Sequence, residues 1–285
     1  MYVRIIPRLD IKGPNLVKGI HLEGLRVMGK PERFARHYYE HGADELLYVD
    51  VVASLYGRNS LLDIVERTAR EVFIPLTVGG GLRTVDDIRD VLRAGADKVF
   101  LNTGAISRPE LISEAAHRFG SSTITVSIEA IRQPNGTYEA YTDNGRERTG
   151  VDAVEWASRA AELGAGELLV TSIDQEGTGG GYDLELTRAI AGAVPIPVIA
   201  CGGAGKLAHV SSAVSEGLAD AVSLASMLHY GCLRDFKFEG RDFSEEGNTR
   251  FLEDQHAFSP IQGTTLRDLK DHLRASSIET RAVAA

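Results

Sequence analysis

The chain is short of cysteine, with two in 285 residues. Cys201 and Cys232 cannot form an oxidised framework, so the core must be held by packing in a reducing compartment. Basic residues are also outnumbered, 31 against 40 acidic, for a net charge of −9. That balance excludes nucleic acid as the main partner. No apolar run approaches the roughly 20 residues that cross a bilayer, and the opening MYVRIIPRLD is too short and too charged for a secretory signal. The expectation is a cytoplasmic protein without a membrane segment. Dinucleotide fingerprints, nucleophile elbows and metal-ligand spacings are missing. His37 and His41 share a helix face, but nothing nearby completes a ligand set. No cofactor or metal is therefore expected. The sequence also lacks a cysteine, histidine and glutamate set for hydrolysing glutamine.

What is present is alternation. Apolar runs of four to seven residues alternate with helical patterns of ten to fifteen, the mark of βα units on a parallel sheet. Strands are predicted near 3–9, 46–51, 74–79, 98–102, 123–129, 167–172, 197–201 and 221–225. Helices are predicted near 31–42, 59–72, 84–94, 108–119, 151–163, 183–193, 207–217 and 264–274. This is the pattern of an α/β fold, a (βα)8 TIM barrel, over residues 1–285 as one domain. The pattern also repeats: Pro75, Gly80 and Gly81 recur as Pro197, Gly202 and Gly203, each 122 positions on, and Gly42-Ala43 recurs as Gly164-Ala165. The first four strands thus match the last four, as in a doubled half-barrel.

Chemistry in a barrel sits at the C-terminal ends of the strands. Strand one ends at Asp10 and the opposite strand five at Glu129, so two carboxylates face each other and can divide acid and base roles. The alternative is that one caps a loop or pairs with Lys12 or Lys18. Strands three and seven end in the paired glycines Gly80, Gly81 and Gly202, Gly203, followed on the next strands by Asn102, Thr103 and by Ala225, Ser226. Bare amides beside hydroxyl and amide donors suit phosphate, here at two separated places. Strand six adds the polar run Thr171, Ser172, Glu176, Gly177, which can bind a sugar or phosphate. Arg4, Glu45, Lys98 and Glu167 all fall at strand starts. They are either solvated charges or an inward ring that gates the bottom of the barrel.

The runs RIIPRLDIKG, GADELLYVD, IPLTVGGGLR, GAGELLVTSID, GTGGGYDLELTRAI and IPVIACGGAG resemble the cyclase subunit of imidazole glycerol phosphate synthase, over about 1–230 and 264–274. The resemblance implies a lyase of histidine biosynthesis that takes ammonia from a separate glutaminase docked as a heterodimer at the N-terminal mouth. Arg4, Glu45, Lys98 and Glu167 match the family's ammonia gate, Asp10 and the strand-five carboxylate its acid–base pair, and Lys18, in a flexible first loop, its substrate-closing lysine. It implies a bis-phosphorylated aminoimidazole carboxamide ribonucleotide as substrate.

Several positions depart from the family. Glu129 and Glu176 stand where aspartate is usual, Arg8 where a small cysteine is common, and Arg26-Val27-Met28-Gly29-Lys30 lacks two acidic residues. An insertion at 231–263 carries Phe236, Phe238, Phe243, Phe251 and Phe258, expected as an ordered flap on the catalytic face. The departures favour a paralogue that passes ammonia to a sugar amidotransferase in surface-polysaccharide biosynthesis. A non-catalytic glutaminase activator is a further alternative. Residues 131–150, with Pro134-Asn135-Gly136, read as a hairpin over the same mouth, and 276–285 as a disordered tail.

Overall fold

The computed structural model describes residues 2–53, 61–233 and 260–282. Its strands and helices begin with β1 Arg4–Lys12, β2 Asn15–Ile20, β3 Glu23–Gly29 and α1 Pro31–Glu40, then β4 Leu46–Asp50, α2 Leu62–Ala69, β5 Leu76–Gly79 and α3 Val85–Arg93. Next come β6 Lys98–Leu101, α4 Thr103–Ser107, α5 Glu110–Phe119, β7 Ile124–Arg132, β8 Tyr138–Thr142, β9 Glu147–Asp152 and α6 Ala153–Glu162. The last are β10 Glu167–Ser172, α7 Leu184–Ala193, β11 Val198–Cys201, α8 Leu207–Ser215, β12 Ala221–Leu224, α9 Ser226–Leu233 and α10 Leu266–Ala275. The parallel strands pair in the order β1-β4-β5-β6-β7-β10-β11-β12, and β12 pairs back with β1 to close a (βα)8 barrel.

Strand alternation sorts the apolar residues into two sets. In β1, Ile5, Leu9 and Ile11 turn outward to the helices. Ile6 turns inward to a second cluster with Leu47, Val49, Phe100, Leu169 and Ile199 that fills the barrel. Both faces are buried, which is why the strands read as near-continuous apolar runs. An aspartate just before three strands accepts a neighbour's otherwise unpaired amide: Asp44 from Ile5, Asp97 from Leu76 and Asp220 from Val198. Asp97 and Asp220 occupy corresponding places in the two halves, so the sequence repeat is also a repeat of hydrogen bonds.

Three expectations need correction. The flexible first loop is an antiparallel hairpin, β2–β3, that continues β1 through Asp10↔Val17, so Lys18 stands on a strand. The hairpin at 131–150 is a three-stranded excursion, β7–β8–β9, with a second turn at Asp143-Asn144. The tail expected at 276–285 is anchored within its described part: the Val3 amide, just ahead of β1, donates to the Glu279 carbonyl at 2.8 Å, and Thr280 is buried. In the insertion, 231–233 end α9, and the returning segment is held by Gln262 N to Gly205 O and Thr264 N to Met227 O. The five phenylalanines lie outside the described residues.

Candidate functional site

Among the described residues a glycine-turn pocket opens at the C-terminal mouth on each half-barrel, and a third pocket adjoins the second along Lys18, Gly177 and Ser226. The first is lined by Gly80, Gly81, Asn102, Thr103, Asp50, Arg83 and Glu129. The second is lined by Gly202, Gly203, Ala225, Ser226, Gly177, Lys18, Glu176 and Arg8. The glycines are obligatory. Gly80 has φ +108°, and a Cβ there would strike the Asp50 carbonyl oxygen. Gly203 has φ +103°, and its Cβ would strike the Gly181 carbonyl oxygen. Both turns are thus closed to any side chain of their own, as an anion site at a glycine turn requires.

Between the pockets stand the carboxylates. Asp10, 3% exposed, accepts from Arg8 Nε at 2.7 Å and lies 3.7 Å from Lys18 Nζ. Lys18 also makes a very short contact with Glu176. Burial disfavours the Lys18 ammonium, but Glu176 and Asp10 outweigh it and hold its pKa above the usual lysine range. Glu129 differs: burial pushes it up to about 7, Arg8 and the Gly145 amide pull it down, and Asp10 and Glu176 push it up again. Its Oε2 is buried without a hydrogen-bond partner, as are Asn102 Oδ1, Thr171 Oγ1 and Ser223 Oγ. Four orphaned polar atoms in one mouth mark where a polar ligand would bond.

Most of the expected residues meet here; Ser172 does not. Strand alternation that turns Thr171 inward turns Ser172 out, where its Oγ donates to Asp183 of the α7 cap. Asp50, Arg83, Asn144, Ser223 and Arg8 also line the pockets. Of these, only Arg8 carries a signal in the sequence, as a large charged residue next to the strand-one carboxylate.

At the N-terminal mouth the four strand-start charges form a closed ring rather than a solvated set. Arg4 bridges Glu45 at 3.0 Å and Glu167 at 2.5 Å; Lys98 bridges the same two at 3.1 and 2.9 Å. Thr77 Oγ1 donates to Glu45 Oε1 at 2.6 Å. The large apolar side chains exposed among the described residues, Tyr2, Phe73 and Leu218, all lie just ahead of strands on this same face. His37 and His41, expected as solvated, stack on one another at 3.9 Å between ring centroids. No helix among the described residues is long and apolar enough to cross a membrane.

Comparison with known proteins gives the family. A model of the family described as "Histidine biosynthesis protein" matches residues 4–234. Imidazole glycerol phosphate synthase subunit HisF of Legionella pneumophila is 62% identical over 205 residues, covering 72% of this chain and 97% of the relative. The protein of the same name from Streptomyces griseus subsp. griseus is 52% identical over 238 residues, 84% of this chain and 94% of the relative. That of Synechococcus sp. (strain CC9311) is 53% identical over 235 residues, 81% and 89%.

Proposed function

This chain belongs to the histidine biosynthesis protein family, among the imidazole glycerol phosphate synthase cyclase subunits, and from that membership we propose how its two mouths share the reaction. It is an enzyme of the lyase type. Ammonia enters through the Arg4, Glu45, Lys98, Glu167 ring and travels up the barrel. At the C-terminal mouth a bis-phosphorylated aminoimidazole carboxamide ribonucleotide lies across, one phosphate on Gly80-Gly81 with Asn102 and Thr103, the other on Gly202-Gly203 with Ser226. Ammonia adds to the ketose carbonyl and water leaves to give an imine. Elimination and ring closure then release the carboxamide ribonucleotide and imidazole glycerol phosphate. Asp10 and Glu129 flank the reacting atoms and move the protons, each step contributing about 10² to 10⁴-fold. A glutaminase docks over the exposed Tyr2, Phe73 and Leu218 around the ring. We place the pair in the cytoplasm, as the relatives' biosynthetic names suggest.

The observation that carries this reading is the pair of glycine-turn pockets on opposite walls with two carboxylates between them. Its test supplies excess ammonium salt in mildly alkaline buffer, so that free ammonia bypasses the glutaminase, together with the bis-phosphorylated substrate. Imidazole glycerol phosphate should form and should be lost in Asp10→Asn. No turnover by well-folded chain would refute the cyclase.

One observation favours a second reading, delivery of ammonia to a separate sugar amidotransferase. The second pocket is lined by the paired Lys18 and Glu176, with Arg8 beside them, so side-chain charge already stands where a phosphate would lie. On the cyclase reading a phosphate enters as Lys18 moves off Glu176 with the β2–β3 hairpin. If phosphate ligands leave the hairpin's amide exchange unchanged, the mouth is closed to substrate and this second reading gains.

A further inference from the structure

One charged group in the mouth takes no part in the reaction above. Arg8 is 3% exposed, lies on β1 two residues before Asp10 and turns to the same face. Its Nε donates to Asp10 Oδ1 at 2.7 Å and its Nη1 to Cys201 Sγ at 3.4 Å. Its charge also reaches Glu176 and Glu129. One guanidinium is thus planted among carboxylates from strand one, strand five and the strand-six loop.

We propose that Arg8 is a positioning residue that decides which of the two opposed carboxylates carries the proton: its Nε bonds Asp10 and not Glu129, which leaves Glu129 to hold and deliver the proton. The proposal rests on the cyclase reading and deepens it. Two carboxylates facing each other in a dry barrel would otherwise share one proton without preference, titrating as a pair. The geometry removes that symmetry. Asp10 has two cations, Arg8 at 2.7 Å and Lys18 at 3.7 Å. Glu129 has no ion pair among the described residues, and its Oε2 has no hydrogen-bond partner. Burial raises its pKa to about 7 even with Arg8 nearby pulling it down, where an acid–base group works best near neutral pH.

The other charges around the pair are few. Lys18 and Glu176 pair with each other on the Asp10 side, and Asp50 and Arg83 line the Glu129 pocket. His229 lies behind Arg8 and is held neutral, its pKa lowered to about 3 by burial and by Lys18. Because a guanidinium does not lose its proton, the bias from Arg8 is the same at every working pH. A lysine in its place would keep the charge but lose the Nε–H that bonds Asp10.

The test removes the charge and keeps the length, Arg8→Met, and reads the resting chain first. Carboxyl titration followed by difference infrared, with Glu129→Gln to assign the band, should show one carboxyl titrating near 7 in the parent. In Arg8→Met that preference should be lost, and the single Glu129 step should spread into two coupled carboxyl steps roughly 1 unit or more apart. Arg8→Lys, which keeps the charge but not the Nε bond, should restore part of the parent behaviour. The matching limb of the kcat profile at saturating ammonia should broaden with it. A merely structural role would lower stability and leave both titrations in place, and an unmoved Glu129 band in folded Arg8→Met overturns the proposal. If Arg8→Met does not fold, Arg8→Lys against Arg8→Gln gives the same reading. Since the infrared measurement needs no substrate, a shifted band in a chain without cyclase turnover would sink the cyclase reading while leaving this bias standing.

Discussion

The two mouths of the barrel are built from similar charges with opposite arithmetic. At the N-terminal mouth two cations and two glutamates close a ring in which each cation meets both acids. At the C-terminal mouth Arg8, Lys18, Asp10 and Glu176 also balance, but a third carboxylate, Glu129, is left over without an ion pair among the described residues. An even, closed set answers every charge, and on the proposed reading it holds a shape that a small neutral molecule can pass. An odd set in a dry place must keep one acid protonated or leave a charge uncompensated. On the function proposed above, the leftover carboxylate separates the mouth that does chemistry from the mouth that admits its reagent.

The sharpest way to break this contrast is to remove the odd member. Glu129→Gln should lower ammonia-dependent turnover by about 10² to 10⁴-fold with KM little changed, and a smaller loss would show that Asp10 alone moves the protons. The same variant tests the energetics. The folded pKa of Glu129, about 7, lies above its ordinary 4.5. Its contribution to stability is therefore complete below 4.5 and is lost as pH rises through 7. Glutamine does not titrate, so denaturant unfolding should show the variant gaining on the parent by about 3 kcal/mol between pH 4 and pH 8. A constant difference across that range would mean that Glu129 is not held in its acid form. At the other mouth, Glu45→Gln leaves Arg4 and Lys98 with one acid between them. Because both cations are partly exposed, the expected loss is about 2 kcal/mol, with little dependence on pH near neutrality.

The even mouth was more legible in the sequence than the odd one. Arg4, Glu45, Lys98 and Glu167 each stand at a strand start, so locating the strands also located the ring. The paired glycines recur 122 positions apart, so each half-barrel announced its own pocket. The hairpin β2–β3 was not announced: its turn falls on His21 and Leu22, both at positive φ (49° and 64°), where glycine or asparagine is the usual signal. Ser172 was misplaced because a polar run was read as a unit; the period of two, applied from Thr171, puts it on the outer face. Arg8 stood out by its size, but that its Nε bonds Asp10 rather than Glu129 depends on register and on a side-chain direction that no sequence pattern carries.

The finest discrimination between the mouths comes from two threonines, each nearly inaccessible and each turned into the barrel. Thr77 at the N-terminal mouth, 3% exposed, spends its hydroxyl on Glu45 at 2.6 Å. Thr171 at the C-terminal mouth, 1% exposed, has no partner for its own. Valine replaces the hydroxyl with a methyl at nearly constant shape. In Thr77→Val a buried carboxylate loses a charge-assisted bond, and thermal or denaturant unfolding should show a loss of about 2 kcal/mol. In Thr171→Val a buried hydroxyl that bonds nothing disappears, and the chain should be unchanged or steadier by up to about 1 kcal/mol. The cost should appear instead as a higher KM, because the orphaned hydroxyl is held ready for a ligand. Equal losses of stability in the two variants would mean that Thr171 already has a partner in solution, and that the C-terminal mouth is as fully satisfied as the ring beneath it.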